Sequence, residues 1–374
     1  LDRKTGFEKL NAFSQQHNNW LFGHFGYGFT NANDRPETVA EDEVLFDDGF
    51  FFVPEILIFH RDNEIYIECN GALPEIIFNE IQSCSPVIEK NTDAAITLQH
   101  GITACEYKSR LQSIKKHILR GDCYEINFCQ SFFARDAGID PFYVYTQLVA
   151  LSPTPFSAFY RLHDKYCLCA SPERFLKKTG DTVISQPIKG TAKRNLSDKA
   201  LDEMSRQYLA NSEKEKSENV MIVDLVRNDL SKVCMKGSVH VKELFGIYSF
   251  PQVHQMISSI EGRVDLQTGW TDIIKACFPM GSMTGAPKKK VMELIDKYEQ
   301  FPRGLFSGSI GYVTPGKDFD FNVVIRSLMY DSSKKLVSCK AGGGITFNSD
   351  IDKEYEESLL KAEAIMKTLG RLDE

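Results

Sequence analysis

The sequence predicts a large protein of mixed helices and strands, of the α/β or α+β class, from three observations. A chain of 374 residues with 42% hydrophobic and 25% charged residues can bury a sizeable core. Its first 80 residues hold aromatic, β-prone runs broken by glycine or proline. Beyond them, stretches with apolar residues at helical spacing alternate with short strands that glycines punctuate. Length alone favours two domains, although folds of these classes also reach this size as one unit.

Taken in order, residues 1–80 mix a short amphipathic helix with strands, the core strands being Trp20-Leu-Phe-Gly-His-Phe-Gly-Tyr-Gly28 and Phe50-Phe-Phe-Val-Pro-Glu-Ile-Leu-Ile58. Residues 85–105 are polar and read as a surface connection. Tyr107, Leu111, Ile114 and Ile118 share one helical face and predict a helix over 106–120. Gly121-Asp122 turns the chain into a strand over 123–132, followed by a helix over 143–151 and strands over 157–161 and 166–170. Residues 181–186 alternate apolar and polar as a strand, which Pro187 and Gly190 end. Residues 198–230 read as one helix, and strands follow over 238–248 and 255–264. The small-residue loop Phe278-Pro-Met-Gly-Ser-Met-Thr-Gly-Ala-Pro287 feeds a helix over 288–298. Strands over 308–312, 320–328 and 336–341 lead into Gly342-Gly-Gly-Ile345, and a last helix covers 352–369.

Charge and cysteine usage narrow the function classes. A net charge of −7 leaves no electrostatic footprint for nucleic acid, so a small anionic substrate would need a local basic or amide-lined pocket. No apolar run approaches the roughly 20 residues of a membrane helix, and no signal peptide is visible. The ten cysteines are scattered, and the closest pair, Cys167 and Cys169, lacks zinc or redox spacing. Reduced thiols in a cytosolic protein fit this best. The first residue is Leu1 rather than Met, which leaves room for residues ahead of it.

Four stretches carry chemistry. In Gln186-Pro-Ile-Lys-Gly-Thr191, Lys189 stands at a strand end where it can point into a cleft. Desolvation there would strip its proton and leave a nucleophilic amine; the plainer reading is a solvated lysine beside a turn. The loop 278–287 precedes a helix and could present backbone N–H groups to an anion. Gly342–Gly344 could converge amides on a carboxylate, or form a tight turn at a sheet edge. On the last helix, Tyr355, Leu359, Ala362, Met366 and Leu369 fall on one face, with Glu354 and Glu357 together on another. These carboxylates, with Glu218, could hold Mg²⁺, or they could form a solvated acidic face, with Lys361 four residues beyond Glu357.

The order of motifs resembles the chorismate-utilising enzymes. It runs Gly-Asp-Cys-Tyr124, Ser-Pro-Glu-Arg-Phe175, Pro-Ile-Lys-Gly-Thr191, Glu218-Asn-Val-Met-Ile-Val-Asp-Leu225, Arg-Asn-Asp229 and Phe-Pro-Met-Gly-Ser-Met-Thr-Gly-Ala-Pro-Lys288. Gly-Ser-Ile-Gly-Tyr312, Ala-Gly-Gly-Gly-Ile345 and Glu354-Tyr-Glu-Glu357 continue it. The likeness covers residue 105 to the end, and residues 1–60 look like a shortened form of the family's N-terminal part. It implies an α+β fold: two antiparallel β-sheets packed as a sandwich, with surrounding helices and the active site in a cleft between. Residues 1–105 would be the N-terminal part and 106–374 the chorismate-binding region of one integrated domain.

The resemblance also implies roles. Glu218, Glu354 and Glu357 match Mg²⁺ ligands. Lys189, Glu173 and Thr191 fall on catalytic positions, with Glu173 as general acid for the departing hydroxyl. Tyr312, Arg326, Thr284, Gly342, Gly343 and Gly344 fall on substrate-binding positions. Anthranilate synthases carry alanine where this chain has Lys189, whereas the branch that aminates chorismate at C4 toward folate carries lysine. Here the lysine would add to C2 of chorismate, and ammonia from a separate glutamine amidotransferase subunit would displace it. Two departures stand out. Gln255 takes the place of a histidine common in relatives, with His254 one residue earlier. Glu125 stands where amine-using members have glutamine and the water-using isochorismate and salicylate synthases have lysine, which counts against those two activities. The alternatives are anthranilate synthesis, which shares nearly all the motifs but is opposed by residue 189, and a non-catalytic chorismate-binding role, which would predict loss of a metal glutamate, Arg326 or the glycine triplet, none of which is lost.

Overall fold

Alternation along the strands decides how the two large sheets meet. In the strand Glu125–Ala134, Ile126, Phe128 and Phe132 point one way and Cys129 the other. In Lys165–Ser171, Cys167 and Cys169 join one apolar cluster while Leu168 and Ala170 join another. A period of two therefore gives this sheet two apolar faces, each needing a cover. In the computed structural model, which describes residues 1, 5–30, 44–71, 73–85 and 96–370, one face packs on a second sheet. Phe25, Leu176, Val183, Ile260, Phe319 and Phe321 of that second sheet complete the shared core. The other face carries helices Pro141–Leu151 and Ile351–Leu369. Helices Ala104–Leu119 and Lys288–Glu299 cover its end through Leu111 and Leu294 against Ile126 and Phe128.

The larger sheet has nine strands, in the order Ile188–Lys193, Val253–Arg263, Thr182–Gln186, Arg174–Thr179, Phe319–Asn322, Ser309–Val313, Leu21–Phe25 and Gly49–Phe52, with His240–Ser249 also on Val253–Arg263. The smaller has seven, in the order Gly285–Ala286, Glu125–Ala134, Leu336–Ile345, Ser327–Asp331, Lys165–Ser171 and Phe156–Leu162, with Gln99–His100 also on Glu125–Ala134. Every pairing between these strands is antiparallel, as an α+β sandwich requires. Leu21–Phe25 pairs with both Gly49–Phe52 and Ser309–Val313, so the first residues are woven into the larger sheet. No helix among the described residues is long and apolar enough to cross a membrane. Of the connection expected over 85–105, residues 86–95 lie outside the described residues.

Local chemistry explains where the elements begin and end. The helix expected over 106–120 runs Ala104–Leu119 with all four spaced apolar residues buried, and Thr103 and Glu106 close a capping box at its start. The single helix expected over 198–230 is two, Lys199–Asn211 and Glu213–Ser231. Ser212 breaks it with extended backbone, and its hydroxyl accepts the Glu215 N–H to cap the second helix. The strand expected over 320–328 is also two, because the chain leaves the larger sheet at Asn322 and enters the smaller at Ser327. Arg326, at φ 52, makes that crossing. Residues 50–58 split likewise around Pro54. Pro187 ends Thr182–Gln186, but pairing resumes in Ile188–Lys193 after a bulge in which Gly190 takes φ 92. Arg174–Thr179 carries too many charges to read as a strand in advance.

One buried ion pair locks the end of the smaller sheet to the loop beside it. Arg303 donates to both carboxylate oxygens of Glu299, at 2.9 and 2.6 Å, and both side chains are 1% exposed. It also donates to the carbonyls of Met283 and Asn127, while Glu299 accepts the Cys129 N–H. Strand, loop and helix thus share one guanidinium. Removing one partner leaves the other charge buried and unpaired. Arg303→Met is expected to lower the unfolding free energy by about 3–5 kcal/mol in urea titrations, and adding Glu299→Met should recover much of that loss.

Candidate active site

Lys189 leaves the edge of the larger sheet and meets the smaller one. Its Nζ stands 2.5 Å from Glu125 Oε1, with the side chains 10% and 1% exposed. Gly344 makes the meeting possible. A Cβ there would stand 2.5 Å from Glu125 Oε1 and 2.6 Å from Lys189 Nζ. Gly190, beside the lysine, needs its positive φ and faces Glu215 and Leu209.

The expectation that burial would strip the proton from Lys189 is corrected here. Burial does push the ammonium down, but Glu125, Glu218 and Glu173 outweigh it and hold Lys189 above its usual range. The carboxylates respond differently. Burial pushes Glu173 up to about 7, against the Ser282 hydroxyl, Lys189 and the Ile188 N–H, which favour its charged form. Burial likewise pushes Glu218 up to about 7, against the pull of Lys189. A small pocket, of about 20 Å³, touches Glu173 and Ser282 together with Phe175, Pro187, Val226 and Met280. Its walls include neither Lys189 nor Glu125, so it adjoins only the Glu173 end of the group.

Lysines separate the acidic side chains of the two helices. Lys214 Nζ lies 3.8 Å from Glu218 Oε1 and 3.5 Å from Glu354 Oε1. Lys361 Nζ lies 2.8 Å from Glu357 Oε1, holding that carboxyl low, and donates to the Gly342 carbonyl. Glu354 is not on a face apart from the apolar one. It lies on the buried stripe with Ser358, Ala362, Ile365 and Leu369. Among the described residues, no three carboxylate, imidazole or thiolate groups close on a single point as a metal cluster would. The donor chemistry nonetheless fits a hard cation: Glu218 Oε1 is buried with no hydrogen-bond partner, and the three candidates offer only carboxylate oxygens.

The remaining candidates divide. Arg326 comes near Glu357, and burial pulls its guanidinium down; among the described residues it has no ion-pair partner. Gly342–Gly344 do not form a converging nest of amides. They continue the strand Leu336–Ile345 in register with Asn127–Cys129, and what they supply is space. Gly343 leaves room for Glu354 and Lys361, as Gly344 does for Lys189. Thr284 is fully buried, and its hydroxyl donates to the Met280 and Gly281 carbonyls. It folds the loop, which packs inward and is no exposed anion site. Tyr312 lies with its ring tilted against Trp20 and Phe22, and has Asp320 and Arg174 as its charged neighbours. Thr191 is exposed beyond the bulge, opposite Gln255. His254 bonds Ser249 and Asp202, whereas Gln255 is buried with its Oε1 unpartnered. Sequence reasoning missed Lys214, although its place four residues before Glu218 on a helix signals the contact. It also missed Ser282, inside the loop already singled out, and Arg303, four residues beyond its partner Glu299.

The site thus gathers a lysine held between two sheets, carboxylates on flanking helices and a guanidinium that has no ion-pair partner among the described residues. The chain belongs to the chorismate binding enzymes, whose family profile matches residues 2–367. It is 41% identical over 271 residues to aminodeoxychorismate synthase component 1 of Salmonella typhimurium, an alignment covering 72% of this chain and 59% of that protein. It is 35% identical over 352 residues to the Escherichia coli protein of the same name, covering 93% of this chain and 76% of that one. The chain therefore spans less than two thirds of the first relative's length. In fold it is similar to anthranilate synthase component I from Streptococcus pneumoniae, with a TM-score of 0.81 at 25% identity over 92% of this chain and 80% of that one.

The environment of Glu173 makes a direct prediction. In the unliganded protein its carboxyl should titrate near pH 7, protonated below and charged above, in the ¹³C carboxyl resonance that Glu173→Gln removes. Titration near 4.3, the value of a solvated glutamate, would contradict it.

Proposed function

We propose that this chain aminates chorismate at C4 to give 4-amino-4-deoxychorismate, using ammonia that a separate glutamine amidotransferase subunit releases. The observation that carries the reading is Lys189, presented across the cleft with its amine at the meeting point of the two sheets. The names of the relatives support the same reaction.

The chain's residues divide the work. Lys189 adds to C2 as the C4 hydroxyl departs, forming a C2–N bond while the C4–O bond breaks. Glu173 delivers its proton to that hydroxyl, which leaves as water. A carboxyl poised near 7 can both hold and release a proton at neutral pH. Ammonia then attacks C4, and the C2–N bond to Lys189 breaks. Arg326, partly buried and without an ion-pair partner among the described residues, binds a substrate carboxylate. Glu218, Glu354 and Glu357 are the residues to hold Mg²⁺, which when bound would neutralise carboxylate charge on the substrate. Lys214 would then give up its contacts with Glu218 and Glu354.

Mass-resolved product analysis with chorismate, Mg²⁺ and ammonium tests this reading. The expected product keeps its pyruvyl ether and is lost in Lys189→Ala, which still folds. In the same assay Glu354→Gln should raise the Mg²⁺ concentration needed for half-maximal rate. Anthranilate with pyruvate, or isochorismate or salicylate, would overturn the assignment.

A further inference from the structure

Resting on that reading, we propose that Glu125 is the base that takes the proton from Lys189 before attack and the acid that returns it afterwards. The carboxylates around Lys189 favour its ammonium form, which has no lone pair to attack with, so an acceptor must lie within reach. Glu125 Oε1 is at 2.5 Å, in a contact that Gly344 leaves open. The carboxyl is 1% exposed, and its Oε2 is buried without a hydrogen-bond partner, so no other group competes for the proton.

Other charged groups face the same ammonium, and each is occupied. Glu173 carries the proton that the departing hydroxyl needs, so it cannot be an empty acceptor in the same step. Glu218 and Glu354 face Lys214, and Glu357 faces Lys361. Glu215 lines the Gly190 side. Glu125 alone in this set touches Lys189 directly.

The protons balance. Lys189 passes one proton to Glu125, and its amine forms the C2–N bond while Glu173 protonates the hydroxyl that leaves as water. When ammonia attacks C4 and the C2–N bond breaks, Glu125 returns its proton to the departing amine. The new C4 ammonium gives one proton to Glu173. Both carboxyls and the ammonium end as they began.

The test is rapid-quench peptide mass analysis of the Lys189 adduct, with chorismate and Mg²⁺ but no ammonia, across a range of pH. At pH 7 Glu125→Gln should form adduct about 100-fold more slowly than the natural protein. The deficit should close as pH rises and the Lys189 ammonium loses its proton to solvent unaided. Chorismate binding, by equilibrium dialysis, should stay unchanged. Glu125→Asp keeps a carboxylate and should recover part of the rate with the natural pH dependence; it is also the variant to read if Glu125→Gln fails to fold. Adduct formation in Glu125→Gln at the natural rate at every pH, or slowed equally at every pH, would overturn the proposal. If the natural protein makes aminodeoxychorismate with no adduct on Lys189, the covalent reading itself fails, and the Glu125 assignment falls with it.

Discussion

The contact between Lys189 and Glu125 is the constraint around which the cleft is built. It joins an edge strand of one sheet to the start of an interior strand of the other, at a depth where both side chains are largely withdrawn from solvent. A lone buried ammonium would be costly, and so would a lone buried carboxylate; together each removes much of the other's penalty. The surrounding backbone serves this contact. Gly344 withholds a side chain where one would strike both partners, and the Gly190 bulge turns the lysine inward. The Arg303–Glu299 pair holds the strand that carries Glu125 against the loop that carries Ser282.

Around that contact the structure sorts its charges by task. Lysines 214 and 361 hold apart glutamates on two helices that would otherwise repel. Arg326 has no such partner among the described residues, so its charge is free for an anion. Burial raises the Glu173 carboxyl, while the carboxylates around Lys189 favour its charged form. Both groups are shifted toward their protonated forms, the carboxyl by burial and the ammonium by the carboxylates around it.

Much of the fold was legible where periodicity is local. Tyr107, Leu111, Ile114 and Ile118 mark a buried helical face by spacing alone. The breaks at Ser212 and at the crossing through Arg326 were not legible, because each depends on where the chain must go in three dimensions. The site divides the same way. Motif order brought Lys189, Glu173 and Glu218 to attention, but Glu125 lies 64 residues from Lys189, and no pattern within either strand records that they meet. The glycine run drew notice for its amides, whereas its structural contribution is room. Thr284 and Tyr312 fit motifs, and neither the hydroxyl bonds of the one within its own loop nor the aromatic neighbours of the other could be read from them.

The measurement that tests the central claim most directly is a double-mutant cycle on folding stability with Glu125→Gln, Lys189→Met and the pair together, read from urea titrations in the absence of substrate. A charge pair that joins the sheets predicts coupling of about 2 kcal/mol, with the double variant more stable than the sum of the single losses allows. Losses that simply add would contradict it, and would mean that the two side chains sit in the cleft without holding each other.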